Sequence, residues 1–339
     1  MKKMLFAALA AFSLIACNKE DSTTLTPNDG PGAVVNLIFT DTPPTSRAFF
    51  DNNVQAEAWE KSLSSLTVYA FDAAGNIITQ RAFTSDELTA KAATFALPHA
   101  AAGTTCDFCA VANLSLSGVT NKATLLAKLE TAAADYNGAF AEVSTKAMRN
   151  GGFVMAAMLS RQIAAEGSAT NVALTLKRTV SKIAVQTAID AAFAGKYTGT
   201  LTLTNVQIKR AASQTPVIAP AAPKTTAMTY THTQVPGTTS GKYNSLFYVF
   251  ENGSLTEDNR VMVEITATYD ADGNSSTTAD RSEIVYTIPL TGTASGAIER
   301  NGYYRVAANI KGLAGSEVGL NVTVADWEVP ATQNVDLGA

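Results

Sequence analysis

RVMVEITATYDADGNSSTTADRSEIVYTIPL, residues 260–290, alternates apolar and polar residues on both sides of a short polar stretch. Alternation from Arg260 to Tyr269 and again from Glu283 to Leu290 puts successive side chains on opposite faces, the pattern of half-buried strands. Between them, Asp270-Ala-Asp-Gly-Asn274 carries the Asp-Gly pair that favours a tight hairpin, centred on Asp272-Gly273. Asp270, Asp272 and Asn274 also imitate the start of a calcium loop. That reading lacks its bidentate glutamate, because the twelfth position is Arg281, so a turn is the better expectation.

The same texture extends outward from this hairpin. Thr198 to Lys209 and Ser245 to Glu251 alternate upstream, while Tyr303 to Ile310, Val318 to Val324 and a last segment reaching Leu337 follow it. In the first half, strands are expected at 33–40, 66–71, 76–83, 93–97, 104–116, 153–159, 169–176 and 180–188. Helical spacing is confined to Val54–Leu63 and to Lys122–Tyr136, where Leu125, Leu126, Leu129 and Ala132 recur; Asp86-Glu87 after Ser85 reads as the first turn of one more short helix. Many short strands separated by turns define a mainly β chain of sandwich type, with its few helices in the first part. Residues 33–178 are expected as an N-terminal β-sandwich domain and 179–339 as a C-terminal one, the boundary falling near Arg178.

Chemistry is sparse. The chain holds only His99 and His232, and neither sits in a metalloprotease motif. There is no nucleophile elbow, and the glycines of 291–296 and 312–319 lie between strands, where they do not open a phosphate-binding helix. No catalytic residue, cofactor or metal is assigned, and the chain is not read as an enzyme. Cys106-Asp-Phe-Cys109 stands in a strand, so its two thiols face opposite ways and read as small buried hydrophobes. A formal charge of −4 with no basic cluster argues against nucleic acid as a partner.

The N-terminus is different. Lys2-Lys3 precedes an apolar run, Met4 to Ala16, that is too short to span a bilayer, so residues 1–16 read as a signal peptide. Leu14-Ile15-Ala16-Cys17 resembles the lipobox of bacterial lipoproteins, which implies lipidation (palmitate among the acyl chains) of Cys17. Residues 17–32, polar and rich in Pro and Gly, follow as a lipidated flexible tether.

An ordered set of segments then resembles one family, the fimbrillins of Bacteroidales, subunits of type V pili. After the lipobox come SLTVYAFDAAGN (65–76), FCAVANL (108–114), GGFVMAAM (151–158), LKRTVSKIAV (176–185), LFYVFEN (246–252), RNGYYRVAANIKG (300–312) and NVTVADWEV (321–329). The resemblance implies two transthyretin-like β-sandwich domains. It implies a lipoprotein precursor held at the outer membrane through Cys17, then cut by an arginine-specific protease and built into a surface fimbrium that supports adhesion. The matching bond joins Arg47 to Ala48, just after Pro43-Pro44, which bias the approach toward an extended chain. Excision of the first strand would leave a groove for another subunit's strand. The donor is expected in the C-terminal segment carrying Val322, Val324, Trp327, Val329, Val335 and Leu337. Partners implied are further copies of the chain and accessory fimbrial subunits. The alternatives are an accessory tip or anchor subunit, or a lipid-anchored glycan-binding protein that never polymerises.

Overall fold

The computed structural model describes residues 31–39, 50, 56–131, 151–218, 230–252, 260–291, 297–314, 319–321 and 331–337. In the first part run β1 (Pro31–Phe39), β2 (Leu66–Phe71), β3 (Ile77–Ala82), β4 (Ala92–Pro98), β5 (Thr105–Ala112), β6 (Leu129–Thr131), β7 (Met155–Gln162), β8 (Ala169–Leu174) and β9 (Lys177–Arg178). Then come β10 (Val180–Ile189), β11 (Thr200–Ala211), β12 (Gln214–Pro216), β13 (Tyr230–Gln234), β14 (Gly237–Thr239) and β15 (Lys242–Phe250). The last are β16 (Met262–Asp270), β17 (Arg281–Pro289), β18 (Tyr303–Ile310), β19 (Gly319–Asn321) and β20 (Ala331–Leu337). Short α-helices cover Ser85–Ala90 (α1), Lys122–Leu126 (α2) and Ala191–Lys196 (α3).

The strands pack as sandwiches. A three-stranded sheet, ordered β4-β1-β8, faces a five-stranded one, β3-β2-β5-β7-β9. Val35, Leu37 and Val172 of the first meet Val68, Phe108 and Ala110 of the second in one buried cluster. Further along, the six-stranded sheet β14-β15-β10-β18-β20-β19 faces the four-stranded β13-β11-β16-β17. There Ile183, Phe247, Val306 and Leu337 pack on Ile208, Val263, Ile265 and Ile288. A further cluster joins the two parts, with Ala56 and Phe153 against Val180, Leu246, Tyr248 and Tyr303. The small sheet β12-β6 crosses the same divide, pairing Glu130 with Thr215.

The opening hairpin is present, with a different tip. β16 and β17 pair from Met262↔Pro289 to Asp270↔Arg281, and Val263, Ile265 and Ala267 are fully buried. The strands therefore close on a loop spanning 271–280 and not on a tight Asp272-Gly273 turn, although Gly273 does take a left-handed φ of +69°. Side chains build this loop: Asp272 Oδ1 accepts from the Asn274 amide at 2.7 Å, and the Asp272 amide donates to Asp280 Oδ2 at 2.8 Å. Carboxylate oxygens of Asp270, Asp272 and Asp280 gather within 4.8 Å of one another. Arg281, in the place where a calcium loop needs its glutamate, donates to Asp270 Oδ2 at 3.0 Å.

Both long helical expectations are corrected. Only Trp59–Lys61 of the 54–63 stretch is helical among the described residues, as one 3-10 turn. The helix from Lys122 ends at Leu126, and Leu129–Thr131 become β6, because β12 offers backbone partners that outweigh helical spacing. The helix at Asp86-Glu87 forms, capped by Thr84 through a reciprocal capping box with Glu87.

Candidate functional site

β1 is an interior strand of its sheet. It runs antiparallel to β4 and parallel to β8, in registers that set Asn36 beside Thr94 on one side and Asn171 on the other. Its parity follows from the sequence AVVNLIF: Ala33, Val35, Leu37 and Phe39 point into the core, at most 6% exposed, while Val34 and Ile38 are 40% and 45% exposed. Burying Val35, Leu37 and Phe39 stabilises by roughly 5–9 kcal/mol in total. On the outer face a polar ladder crosses the sheet. The Thr94 hydroxyl donates to Asn36 Oδ1 at 3.0 Å, and Asn36 Nδ2 donates to Asn171 Oδ1 at 3.1 Å. Lifting β1 out would leave a slot between two strand edges, floored by Leu66, Val68, Phe108 and Ala110.

Residues just beyond β1 are tied to the other part of the molecule. The Phe50 carbonyl accepts from Arg305 Nη1 at 3.1 Å, and the Arg305 guanidinium lies 5.4 Å from the centre of the Phe50 ring. Glu60, fully buried, forms an ion pair of 2.6 Å with Lys182 of β10 and accepts a hydrogen bond of 2.7 Å from the Tyr248 hydroxyl. Arg178 Nε donates to the Glu60 carbonyl and Arg178 Nη1 to Asn301 Oδ1, both at 2.7 Å. Burial and the neighbouring Glu60 carboxylate push the Tyr248 phenol well above its ordinary range. Trp59 packs against Phe153 and Tyr248.

Cys17, Arg47, Ala48, Val322, Val324, Trp327 and Val329 lie outside the described residues. Of the expected donor segment, Val335 and Leu337 fall on β20, which pairs parallel to β18 from Tyr304↔Ala331 to Ile310↔Leu337. Leu337 is fully buried in its own sandwich. Outside it, β19 is the edge strand, held through Gly319↔Asp336, Leu320↔Val335 and Asn321↔Asn334. Cys106 and Cys109 are free thiols buried on opposite faces of β5, and burial pushes Cys109 up to about 12. Tyr303 and Tyr304 also face opposite ways, but both are buried, because β18 is covered on both sides.

The Glu60 cluster and the Asn36 ladder were missed by sequence reasoning. Lys182 stands in an alternating run where its ammonium looks solvent-facing, and nothing in the linear sequence brings Glu60 to it. The ladder had a signal: Asn36 is the one amide side chain in the otherwise apolar stretch AVVNLIF.

The described residues thus form a double β-sandwich in which β1 is an interior strand. A family model described as fimbrillin-A associated anchor proteins Mfa1 and Mfa2 matches residues 33–331, and the chain belongs to that family. Its place is therefore the fimbrial cell surface, in a structural role. No curated protein matches. Among solved structures, a candidate cell adhesion protein from Bacteroides eggerthii DSM 20697 is similar at 19% identity and a TM-score of 0.62, over 91% of this chain and 98% of that one. The tip fimbrial protein Mfa3 from Porphyromonas gingivalis is similar at 14% identity and a TM-score of 0.55, over 88% and 100%. A fimbrilin from Porphyromonas gingivalis W83 is similar at 15% identity and a TM-score of 0.54, over 90% and 97%.

Proposed function

We propose that this chain is a fimbrial building block delivered as a lipoprotein through Cys17, released by cleavage between Arg47 and Ala48, and polymerised by strand exchange. The observation that carries this reading is the position of β1. It is an interior strand with its inward residues buried, and its link to the rest of the chain contains Arg47. Cleavage there frees the strand and its tether together. What remains has two unpaired strand edges around an apolar floor, a template for an incoming strand. While β1 is in place the template is blocked, so assembly waits for the protease. The donor is the C-terminal segment from Val322 to Leu337 of another copy. The two sandwiches meet near Arg178 and act as the acceptor and donor ends.

Lipid-free precursor treated with an arginine-specific protease should form ladders that survive SDS. Arg47→Ala should abolish them, and Val322→Asp or Val324→Asp should abolish them while leaving cleavage intact. A chain cut after Arg47 that stays monomeric would sink the mechanism. One observation favours a second reading: the matched family is described as anchor proteins. An anchor keeps its lipid, so wild-type fimbriae whose subunits still carry residues 17–47 would select that role.

A further inference from the structure

We propose that Asp270, Asp272 and Asp280, at the tip of the β16–β17 hairpin, hold one calcium ion. Such a site is independent of strand exchange.

Carboxylate oxygens of the three aspartates lie within 4.8 Å of one another. Asp272 is within hydrogen-bonding reach of the carboxylates of both Asp270 and Asp280, so the three side chains converge. Two oxygens of the group, Asp270 Oδ1 and Asp280 Oδ1, are shut off from solvent and have no hydrogen-bond partner. Asp270 is only 8% exposed. Its other oxygen accepts from Arg281 Nε at 3.0 Å, and Asp280 Oδ2 accepts from the Asp272 amide at 2.8 Å. The hairpin thus satisfies one oxygen of each of these two carboxylates and leaves the second with no donor. An anionic oxygen buried in this way is costly, and it marks a place where an ion or a water belongs.

Charge decides between the two. From Asp270 to Arg281 the chain carries three carboxylates and one guanidinium, a formal net charge of −2. A water can donate to two acceptors but leaves that charge in place, whereas one divalent cation cancels it. Arg281 is already engaged: Nε on Asp270 Oδ2, and Nη2 on the Ser275 carbonyl at 2.8 Å. Amide and hydroxyl donors, the Asn274 N–H foremost, hold the Asp272 carboxyl below its ordinary range, so a proton on Asp272 does not relieve the repulsion at neutral pH.

The donors are all carboxylate oxygens, which suit calcium or magnesium and not the softer transition metals. Calcium takes oxygens at about 2.3–2.6 Å in flexible geometry, so one ion spans ligands up to about 5 Å apart; magnesium demands a tighter, near-ideal octahedron. Arg281 stands where the usual calcium loop has its glutamate, and Asp280, one position earlier, supplies the third carboxylate instead. The base of the loop is firmly seated: it packs on Gly199, where any side chain would collide with the Asp270 carbonyl. Asp272 is exposed, so an ion enters from solvent without opening the sandwich. Bound there, it ties the end of β16 to the start of β17.

The test is calorimetric titration of the lipid-free full chain, freed of metal with a chelator, with calcium chloride. One saturable site is expected, with a Kd of about 10⁻⁴–10⁻³ M, the range of extracellular calcium modules. Saturating calcium should raise Tm by about 2–4 °C over a sodium chloride control of equal ionic strength. Asp272→Asn and Asp280→Asn each keep an acceptor oxygen for the loop's own hydrogen bonds and remove one negative charge. Each should weaken calcium binding by about tenfold or more and abolish the Tm shift. No saturable heat from the wild type, or full-strength binding by both variants, would overturn the site. Magnesium bound as tightly as calcium would reduce the effect to charge screening at an acidic loop and overturn it as well.

Discussion

At the scale of single residues, buried charge and buried titratable groups decide most. Lys182 and Glu60 are at most 1% exposed, so removing one leaves the other charged and unpaired. Lys182→Met should cost about 3–5 kcal/mol in urea denaturation, and the double variant Glu60→Gln/Lys182→Met should recover most of it. A single-variant loss below about 1 kcal/mol would show that the pair is not desolvated in solution. Two other groups act on pH dependence with opposite signs. Burial lowers His232 to about 4, so the unfolded chain binds the proton more readily and stability rises with pH between 4 and 6.5. Burial raises Glu130 to about 7 from 4.5, against the opposing pull of Thr179 and Arg300, so its contribution falls as pH rises through that window. The two nearly cancel from pH 4.5 to 6.5. Glu130→Gln should therefore unmask a slope of about +1.4 kcal/mol per pH unit in that range, measurable by thermal melts at several pH values. A flat profile in the variant would exclude His232 as a neutral buried group.

At the scale of elements, β1 is the pivotal strand. Cleavage after Arg47 in dilute solution, followed by loss of the freed strand, should raise the fluorescence of an apolar dye as the slot opens. A synthetic peptide of residues 31–40 should reverse it. An unchanged signal would mean that β1 stays seated after the cut. Within the intact chain, Leu37→Ala should cost about 2–5 kcal/mol, since the leucine is fully buried. Much of this element structure was legible in advance. The alternation in 260–269 and 283–290 gave β16 and β17, and β2 and β18 fall on the expected residues. What failed has physical causes. Helical spacing in 122–136 gave way where β12 supplied a distant backbone partner for β6, and spacing alone carries no information about such partners. The hairpin tip is long because Asp272 and Asp280 bond backbone amides and hold a wide loop, although Asp272-Gly273 suits a tight turn. Of the site, the apolar face of β1 was readable from parity, whereas the Thr94–Asn36–Asn171 ladder needed the register of three strands.

At the scale of the whole molecule, contacts joining the sandwiches among the described residues include the Glu60–Lys182–Tyr248 cluster, the β6–β12 ladder, the Arg305–Phe50 contact and the aromatic contacts of Trp59 with Phe153 and Tyr248. A joint whose central groups Glu60, Lys182 and Tyr248 are at most 1% exposed should make unfolding cooperative. Calorimetry of the intact chain should show a single transition, and the Lys182→Met variant should separate it into two. A wild-type profile already split in two would show that the joint does not couple them. Every residue of the joint follows Arg47 in sequence, so the proposed cut would leave it whole. On the strand-exchange proposal the slot lies in one sandwich and the donor segment in the other, so contacts between copies would be head-to-tail. Such contacts close into no pair and extend into a filament with two unlike ends.

The covalent link between β1 and Phe50 has a kinetic consequence. A strand joined covalently to its own slot by a short link competes at an effective concentration in the millimolar range. An intruding strand at cellular dilution loses that contest even if its intrinsic fit is equal. If the bond after Arg47 is cut, as proposed, the old strand becomes a dissociable peptide whose local concentration falls to that of the medium. The protease then leaves every contact in the slot unchanged and removes only the tether's advantage. The replacement strand therefore need not fit better than β1, only stay nearby longer.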